Sequence, residues 1–298
     1  MQGRHEKVTY INDLGQRIDI AYSFPFFLQS ISGIDGINSE NYRIKGMGQD
    51  GTTLAGSTLD ERNIRLIGSI KGDTKDIIER QRLKLLQTFN PKIKGWLHYE
   101  YGNLKRKIRC SVIKAPTFNK RISTFKYQDF LIDFLCPSPF WQDLSESKAE
   151  IALWRGAFHF PLIIPENEPI IMGYREPNLI VNIINHGNVE TGMKIEFKAR
   201  GTVENPSLFN VNTREFIKIN KAMVSGERIS INTNKGSKGI TSRLNGVSTD
   251  ILEFIDIVGG GKTFLQLDPG DNLLRYDADS GLENLDIDIY YHNNYLGV

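Results

Sequence analysis

The feature that most restricts the fold is a run of short segments that begins near residue 178 and continues to the end with no helical interruption. LIVNIIN, MKIEFKA, EFIKI, RISIN, ILEFIDI, TFLQL, NLLRYD and LDIDIYY follow one another. Between them stand turn signals such as His186-Gly187-Asn188, Ser225-Gly226, Asn234-Lys235-Gly236 and Asp268-Pro269-Gly270-Asp271. Successive strand side chains point to opposite faces, so segments of this pattern bury one face and wet the other. Strands at this spacing with no crossover helix predict an antiparallel β-sandwich.

The first half has a different texture. VTYINDLGQRIDIAYSF predicts a hairpin about Asn12-Asp13-Leu14-Gly15, residues that tolerate positive φ. GMGQDGTTLAGSTLDER carries too few apolar residues to enter a core and reads as an exposed loop or arm, with residues 46–56 as its glycine-rich part. RNIRLIGSI sets Ile64, Leu66 and Ile70 on one strand face. GDTKDIIERQRLKLLQTFNP predicts a helix capped by Asp73, with Asp76 in its first turn and Ile78, Leu85, Leu86 and Phe89 on one face. Asn90-Pro91 stops it. GWLHYEY, KIRCSVIKA and QDFLIDFLC read as strands, the last with Phe130, Ile132, Phe134 and Cys136 on one side and Asp129 and Asp133 on the other. CPSPFW, residues 136–141, then breaks the pattern and marks a junction. The expectation is a mainly β chain of two domains, 1–141 with one helix and 142–298 as the sandwich. At 298 residues the chain is long enough for two cores.

Few residues point to chemistry. No segment reaches the roughly 18–20 consecutive apolar residues of a membrane span, and MQGRHEKVTYINDLG lacks the apolar region of a secretion signal. Cys110 and Cys136 are too few for a disulfide framework and read as buried thiols, with a bridge between them left open. His5, His98, His159, His186 and His292 are scattered singly, without metal-site spacing. VGGGKTF imitates the end of a phosphate-binding loop, but Asp256 stands where its first glycine belongs, and TFLQL reads as a strand rather than the required helix. Asp286 and Asp288 alternate with apolar residues as on a solvated strand face. No catalytic residue, cofactor or metal ligand is assigned. Charge is more informative. Residues 62–126 hold seventeen Lys/Arg against four Asp/Glu in a chain whose net charge is +2. Arg80, Arg82 and Lys84 on the helix, with Lys105, Arg106 and Lys107, are therefore candidate interface residues. A solvated face or an acidic protein partner fits them better than nucleic acid, for which no recognition motif is present.

The order of certain stretches adds a resemblance. NDLGQRIDI, GQDGTTL, RNIRLIGSIKGD, ERQRLKLLQTFNP, GWLHYEYGN, IRCSVIKAPTF and DFLIDFLCPSPFW come first. VNIINHGNVETGMKIEFKARGTVENPSLFNVNTREFIKIN, GERISINT, LQLDPGDNLLRYDAD and IDIYYHNNYLGV follow. In this order they resemble the distal tail proteins (Dit) of long-tailed bacteriophages, mostly those infecting Gram-positive bacteria. The resemblance implies a β-rich N-terminal belt domain and a galectin-like C-terminal sandwich. It also implies six copies in a ring that joins the tail tube protein to the tail-associated (Tal-like) and receptor-binding proteins, with DNA passing through unbound. The protein would then be a non-enzymatic baseplate component of the virion, assembled in the host cytoplasm. The alternative is a carbohydrate-binding module for host cell-wall polysaccharide. The galectin sugar site needs a His-Asn-Pro-Arg strand and a Trp-Gly pair. Here the nearest stretches are INHGN and VENPS, and no tryptophan follows Trp154.

Overall fold

The computed structural model describes residues 6–119, 126–151, 153–156, 173–176 and 180–298. His5 and most of the run LWRGAFHFPLIIPENEPI, with His159, lie outside the described residues. The chain forms two units. One runs to Leu144 and is completed by Asn294–Val298; the other is Ser145–Asn293.

The first unit contains β1 (Glu6–Asn12), β2 (Arg17–Ile20), β3 (Phe26–Ser32), β4 (Ser39–Ile44), β5 (Thr53–Leu59), β6 (Arg62–Lys71), α1 (Lys75–Thr88), β7 (Gly95–Tyr101), β8 (Leu104–Val112), β9 (Thr117–Phe118), β10 (Tyr127–Cys136) and β11 (Trp141–Asp143). The predicted first hairpin forms because Asn12 Oδ1 accepts from the N–H groups of Leu14 and Gln16, and Gly15 supplies a φ of 78°. Strands pair in the order β2-β1-β7-β8-β10-β6-β3. The two ends of this path meet. Ala21 N donates to Phe26 O at 3.2 Å, and Leu28 N donates to Ala21 O at 2.7 Å. The sheet thus closes on itself, and alternate side chains of each strand fill the inside: Val8 and Tyr10, Leu66 and Ile70, Ile108 and Cys110, and the expected Phe130, Ile132, Phe134 and Cys136.

Helix α1 supplies Leu85 to this core, and its C-cap residue supplies Phe89. The Phe89 ring stacks on Tyr10 at 4.7 Å between centroids and meets Phe134 edge-on at 6.0 Å. Two details depart from the sequence reading. The cap is Thr74, whose hydroxyl accepts from Ile77 N, rather than Asp73. Leu86 is exposed, because it sits about 100° around the helix from buried Leu85.

The second unit contains β12 (Ser147–Glu150), β13 (Leu153–Gly156), β14 (Gly173–Glu176), β15 (Ile180–Asn185), β16 (Met193–Ala199), β17 (Val203–Glu204), β18 (Ser207–Asn210), β19 (Phe216–Lys218), β20 (Ala222–Met223), β21 (Arg228–Asn232), β22 (Gly239–Leu244), β23 (Val247–Asp250), β24 (Gly270–Asp277) and β25 (Leu285–Tyr291). A six-stranded sheet, β12-β25-β16-β21-β22-β23, and a four-stranded sheet, β15-β24-β18-β19, share one core. Ile195, Phe197, Ile229, Ile231, Ile287 and Ile289 come from the first; Ile183, Leu208, Ile217, Leu274 and Tyr276 come from the second. This is the expected antiparallel sandwich.

Two predicted strands are not strands. Within ILEFIDI, Leu252–Phe254 is a 3-10 turn, started by Asp250 Oδ1 accepting from Leu252 N at 2.9 Å. TFLQL buries Leu265 and Leu267 as extended chain tied by single bridges at Lys262 and Leu267. Conversely, the β22–β23 hairpin was not anticipated. It turns on Asn245-Gly246, with φ of 49° and 84°, and that dipeptide is the strongest short hairpin signal in any sequence.

The last strand, β26 (Asn294–Tyr295), belongs to the first unit and pairs with β11 through Trp141↔Tyr295 and Gln142↔Asn294. Trp141, fully buried, donates its indole N–H to Ile34 O at 3.0 Å and packs near Tyr99. Beside it lies Arg62, 2% exposed, whose guanidinium donates to the carbonyls of Pro139, Gly33, Asp35, Gly36 and Leu296. CPSPFW thus helps form the seat that receives the end of the chain.

Candidate assembly surfaces

The glycine-rich arm is a hairpin. β4 and β5 pair only with each other, in register from Ser39↔Leu59 to Ile44↔Thr53 with one irregularity at Tyr42/Arg43. Apart from half-buried Gly56, every residue of both strands is exposed. Tyr42, Ile44, Met47 and Leu54 all present apolar surface, Met47 without any cover. A lone two-stranded ribbon is marginal in water, and its unpaired edges invite pairing with another chain. Met47 and Leu54 are the exposed apolar residues inside the glycine-rich stretch.

The six basic candidates do not form one patch. Arg80 and Lys84 are exposed on α1 and share a stripe with Leu83 and Gln87, spaced i, i+3, i+4, i+7. Leu83, 60% exposed, is the apolar member that sequence reasoning overlooked. Arg82 faces elsewhere, with its guanidinium 4.5 Å from the Phe118 ring centroid. On β8 the strand alternation separates the neighbours. Lys105 is exposed, 3.9 Å from the Glu100 carboxylate. Arg106 is in phase with the core and stacks over the Tyr295 ring, and burial pushes it below the ordinary arginine value. Lys107 donates to Leu144 O at 2.9 Å and lies 5.1 Å from the Trp96 ring. Arg80, Lys84 and Lys105 are therefore presented outward, while Arg82, Arg106 and Lys107 are engaged with the unit itself.

The remaining chemical candidates are structural as well. The Asp256 carboxylate accepts from Gly259 N at 2.8 Å and from Asn220 Nδ2 at 3.2 Å, so an acid already occupies the donors that a phosphate loop would offer. Those bonds, led by the Gly259 N–H, hold it below the usual carboxylate range. Asp288 is buried against the ammonium groups of Lys198 and Lys148, and Asp286 pairs with Arg200. Among the described residues no cluster of three His, Cys, Asp or Glu could hold a metal ion, and no helix is long and apolar enough to cross a membrane.

The second unit has a cavity of about 580 Å³ lined by Val224, Leu244, Val247, Phe254, Lys221 and Glu227, among others. Burial alone would raise Glu227, but Lys221, the Ser242 hydroxyl and Val224 N–H hold it below the usual range. The Glu227 carboxylate at this cavity is thus internally satisfied, and Val224, Leu244 and Val247 supply aliphatic wall.

Comparison with known proteins bears on both units. Residues 14–136 match the family model described as a phage tail protein RIFT-related domain. Residues 186–295 match the one described as a siphovirus-type tail component, C-terminal domain. No curated protein matches by sequence. Among solved structures, the Dit (gp 19.1) protein of phage SPP1 aligns with TM-score 0.67 and 14% identity, over 97% of this chain and 99% of that one. A chain of the phage P2 baseplate in its activated conformation with Ca aligns with TM-score 0.54 and 10% identity, over 98% and 99%. The two matched regions occur in the order expected of one family and span most of the described residues: this chain belongs to the siphovirus distal tail (Dit) family.

Proposed function

We propose that this protein is the structural hub of a siphophage tail tip. Six copies close a ring that joins the tail tube protein to the tail-associated and receptor-binding proteins and leaves a passage for DNA. The observation that carries this reading is the end-to-end likeness to SPP1 Dit, whose structure is described as a paradigm of the hub adsorption apparatus in phages infecting Gram-positive bacteria. In a closed ring each protomer meets two neighbours through different surfaces, so the contact is head-to-tail. Permanent contacts of this kind bury roughly 2,000 Å² or more. Two features support the reading: the uncovered β4–β5 hairpin, and the Arg80/Leu83/Lys84 stripe on the basic segment. Function then rests on surface complementarity in the virion, without catalysis.

The test is the mass of the purified protein by light scattering across concentration, alone and mixed with its tube protein, with negative-stain images of each peak. Hexameric rings with a central hole are expected. A monomer at every concentration that also fails to form rings on tube protein overturns the proposal. Binding of that monomer to isolated cell-wall polysaccharide would move the assignment to an adsorption module.

A further inference from the structure

The closed path of the first unit has a short seam between β8 and β10. β8 and β10 share two register pairs, Phe134↔Val112 and Leu135↔Ser111, against ten between β10 and β6. Ile113 N donates to Asp133 O at 2.8 Å, which makes Ile113 and Asp133 a hydrogen-bonded pair in the same register. Antiparallel ladders alternate hydrogen-bonded and non-hydrogen-bonded pairs. Counting along, Val112/Phe134 is non-hydrogen-bonded, Ser111/Leu135 is hydrogen-bonded, and the next opposed pair, Cys110/Cys136, is non-hydrogen-bonded. Pro137 follows and has no N–H with which to continue the ladder. At such a site the opposed Cα atoms stand about 4.5 Å apart with side chains closer still, within the span a disulfide bridges. Both residues are free thiols, and both are buried in the same core.

We propose that Cys110 and Cys136 are a cross-strand redox pair that closes to a disulfide when the protein meets a small-molecule disulfide, stapling a short seam of the barrel. The step balances. When the seam opens, one cysteine thiolate attacks oxidised glutathione. The glutathione S–S bond breaks, a mixed disulfide forms and one glutathione leaves. The second cysteine thiolate displaces the other glutathione. Two cysteine thiols are oxidised, one glutathione disulfide is reduced to two thiols, and the two cysteine protons end on the released glutathiones. While the seam is closed the reduced pair is inert. The hydrogen bond to Cys136, together with burial, pushes the Cys110 thiol well up, and the thiol form does not attack.

The chain has only two cysteines, so samples quenched in acid, unfolded and alkylated with N-ethylmaleimide report the state by intact mass: two adducts when reduced, none and no added glutathione when bridged. The protein is equilibrated in glutathione buffers, once natively and once in urea. Each equilibrium is approached from the reduced protein and from protein oxidised in urea and then refolded, so that burial of the thiols does not set the answer. The quantity read is [GSH]²/[GSSG] at half oxidation. In the unfolded chain it reports a flexible loop, with an effective concentration on the order of millimolar. The folded pair is held in place, so its value should be at least about 100-fold higher. A native value equal to or below that in urea, or oxidised protein that cannot refold, overturns the proposal. Cys110→Ala should take up a single glutathione and never lose its adduct site by bridging.

Discussion

Replacing Arg62 by alanine should uncouple the end of the chain from the first unit. Three guanidinium nitrogens of Arg62 reach five carbonyl oxygens on three separate segments: the 33–36 turn, Pro139 and Leu296. Hydrogen bonds to a charged group contribute roughly 1.5–3 kcal/mol each, so three engaged nitrogens bracket a gross loss of about 4–9 kcal/mol. Removing the cation also recovers its desolvation cost of several kcal/mol. The expected net loss is about 3–5 kcal/mol, as when one partner of a buried charged contact is removed. For a unit of this size that is a fall of roughly 10 °C in the unfolding midpoint. A chain lacking Asn294–Val298 loses the Leu296 acceptor and the Tyr295 ring that packs under Arg106, and should lose about 2–3 kcal/mol. Because the two changes share the Arg62–Leu296 bond, the combination should cost about 1–2 kcal/mol less than their sum. Urea unfolding followed by fluorescence in a Trp154→Phe background reports this unit alone, since Trp96 and Trp141 are its only tryptophans. A loss below about 1 kcal/mol for Arg62→Ala, or strict additivity with the truncation, would refute the argument.

Other expectations follow from single contacts. A Cβ on Gly68 would stand 2.6 Å from the Phe130 ring and 2.8 Å from Phe27 O, so Gly68→Ala should cost about 1–3 kcal/mol in urea unfolding; Gly56→Ala, with nothing within 4 Å, should stay near zero. Burial, with Lys107 and Arg17 nearby, holds His98 below the usual histidine range. The unfolded chain therefore takes up that proton first, so stability is lost as pH falls from about 6.5 towards the lowered folded value. His98→Gln should remove this part of the slope between about pH 7.5 and 5.5, and an unchanged slope would refute it. Arg80→Glu with Lys84→Glu should leave the urea midpoint unmoved while weakening ring assembly by light scattering. Arg82→Glu should instead lower the midpoint by breaking its stack on Phe118. Arg109 grips Asp13 at 2.7 and 2.6 Å, so Arg109→Ala should return the Asp13 carboxyl, by NMR titration, from its lowered position to the ordinary range.

What could be read from sequence was whatever the local pattern decides. Alternation in YQDFLIDFLC settles which side chains face inward, because a one-residue slip would turn Phe130, Ile132, Phe134 and Cys136 into water. Helix α1 was legible from its apolar stripe and its proline stop, while its cap was misplaced by one residue because Asp73 and Thr74 are both competent caps. TFLQL and ILEFIDI misled because buried extended chain and a 3-10 turn can carry the same apolar spacing as a strand. The basic run 105–107 could not be sorted from composition. Strand phase alone turns Arg106 inward and leaves Lys105 outside, and that phase is fixed by Ile108 and Cys110 two and four residues on.

The junction shows the limit most clearly. CPSPFW looks like a place where one domain stops and a connector begins, and Pro137 does end a ladder, since β10 goes no further; the compact unit nonetheless runs on to Leu144. Yet Trp141 is among the most buried side chains of the chain because of residues about 107 before it and 154 after it, Ile34 and Tyr295. No window of neighbouring residues contains that information. A two-residue strand such as Asn294–Tyr295 is too short to carry a periodic signal, and an arginine such as Arg62 at the start of a strand reads as solvated when its acceptors are carbonyls on three other segments. The same reasoning applies between molecules. The stripe of Arg80, Leu83 and Lys84 and the apolar β4–β5 ribbon are unremarkable residue by residue, and they acquire meaning only from what lies opposite. Surfaces of this kind leave no motif in a chain, so the family was visible only in the order of many weak segments, and the candidate surfaces are visible only as exposure without an internal partner.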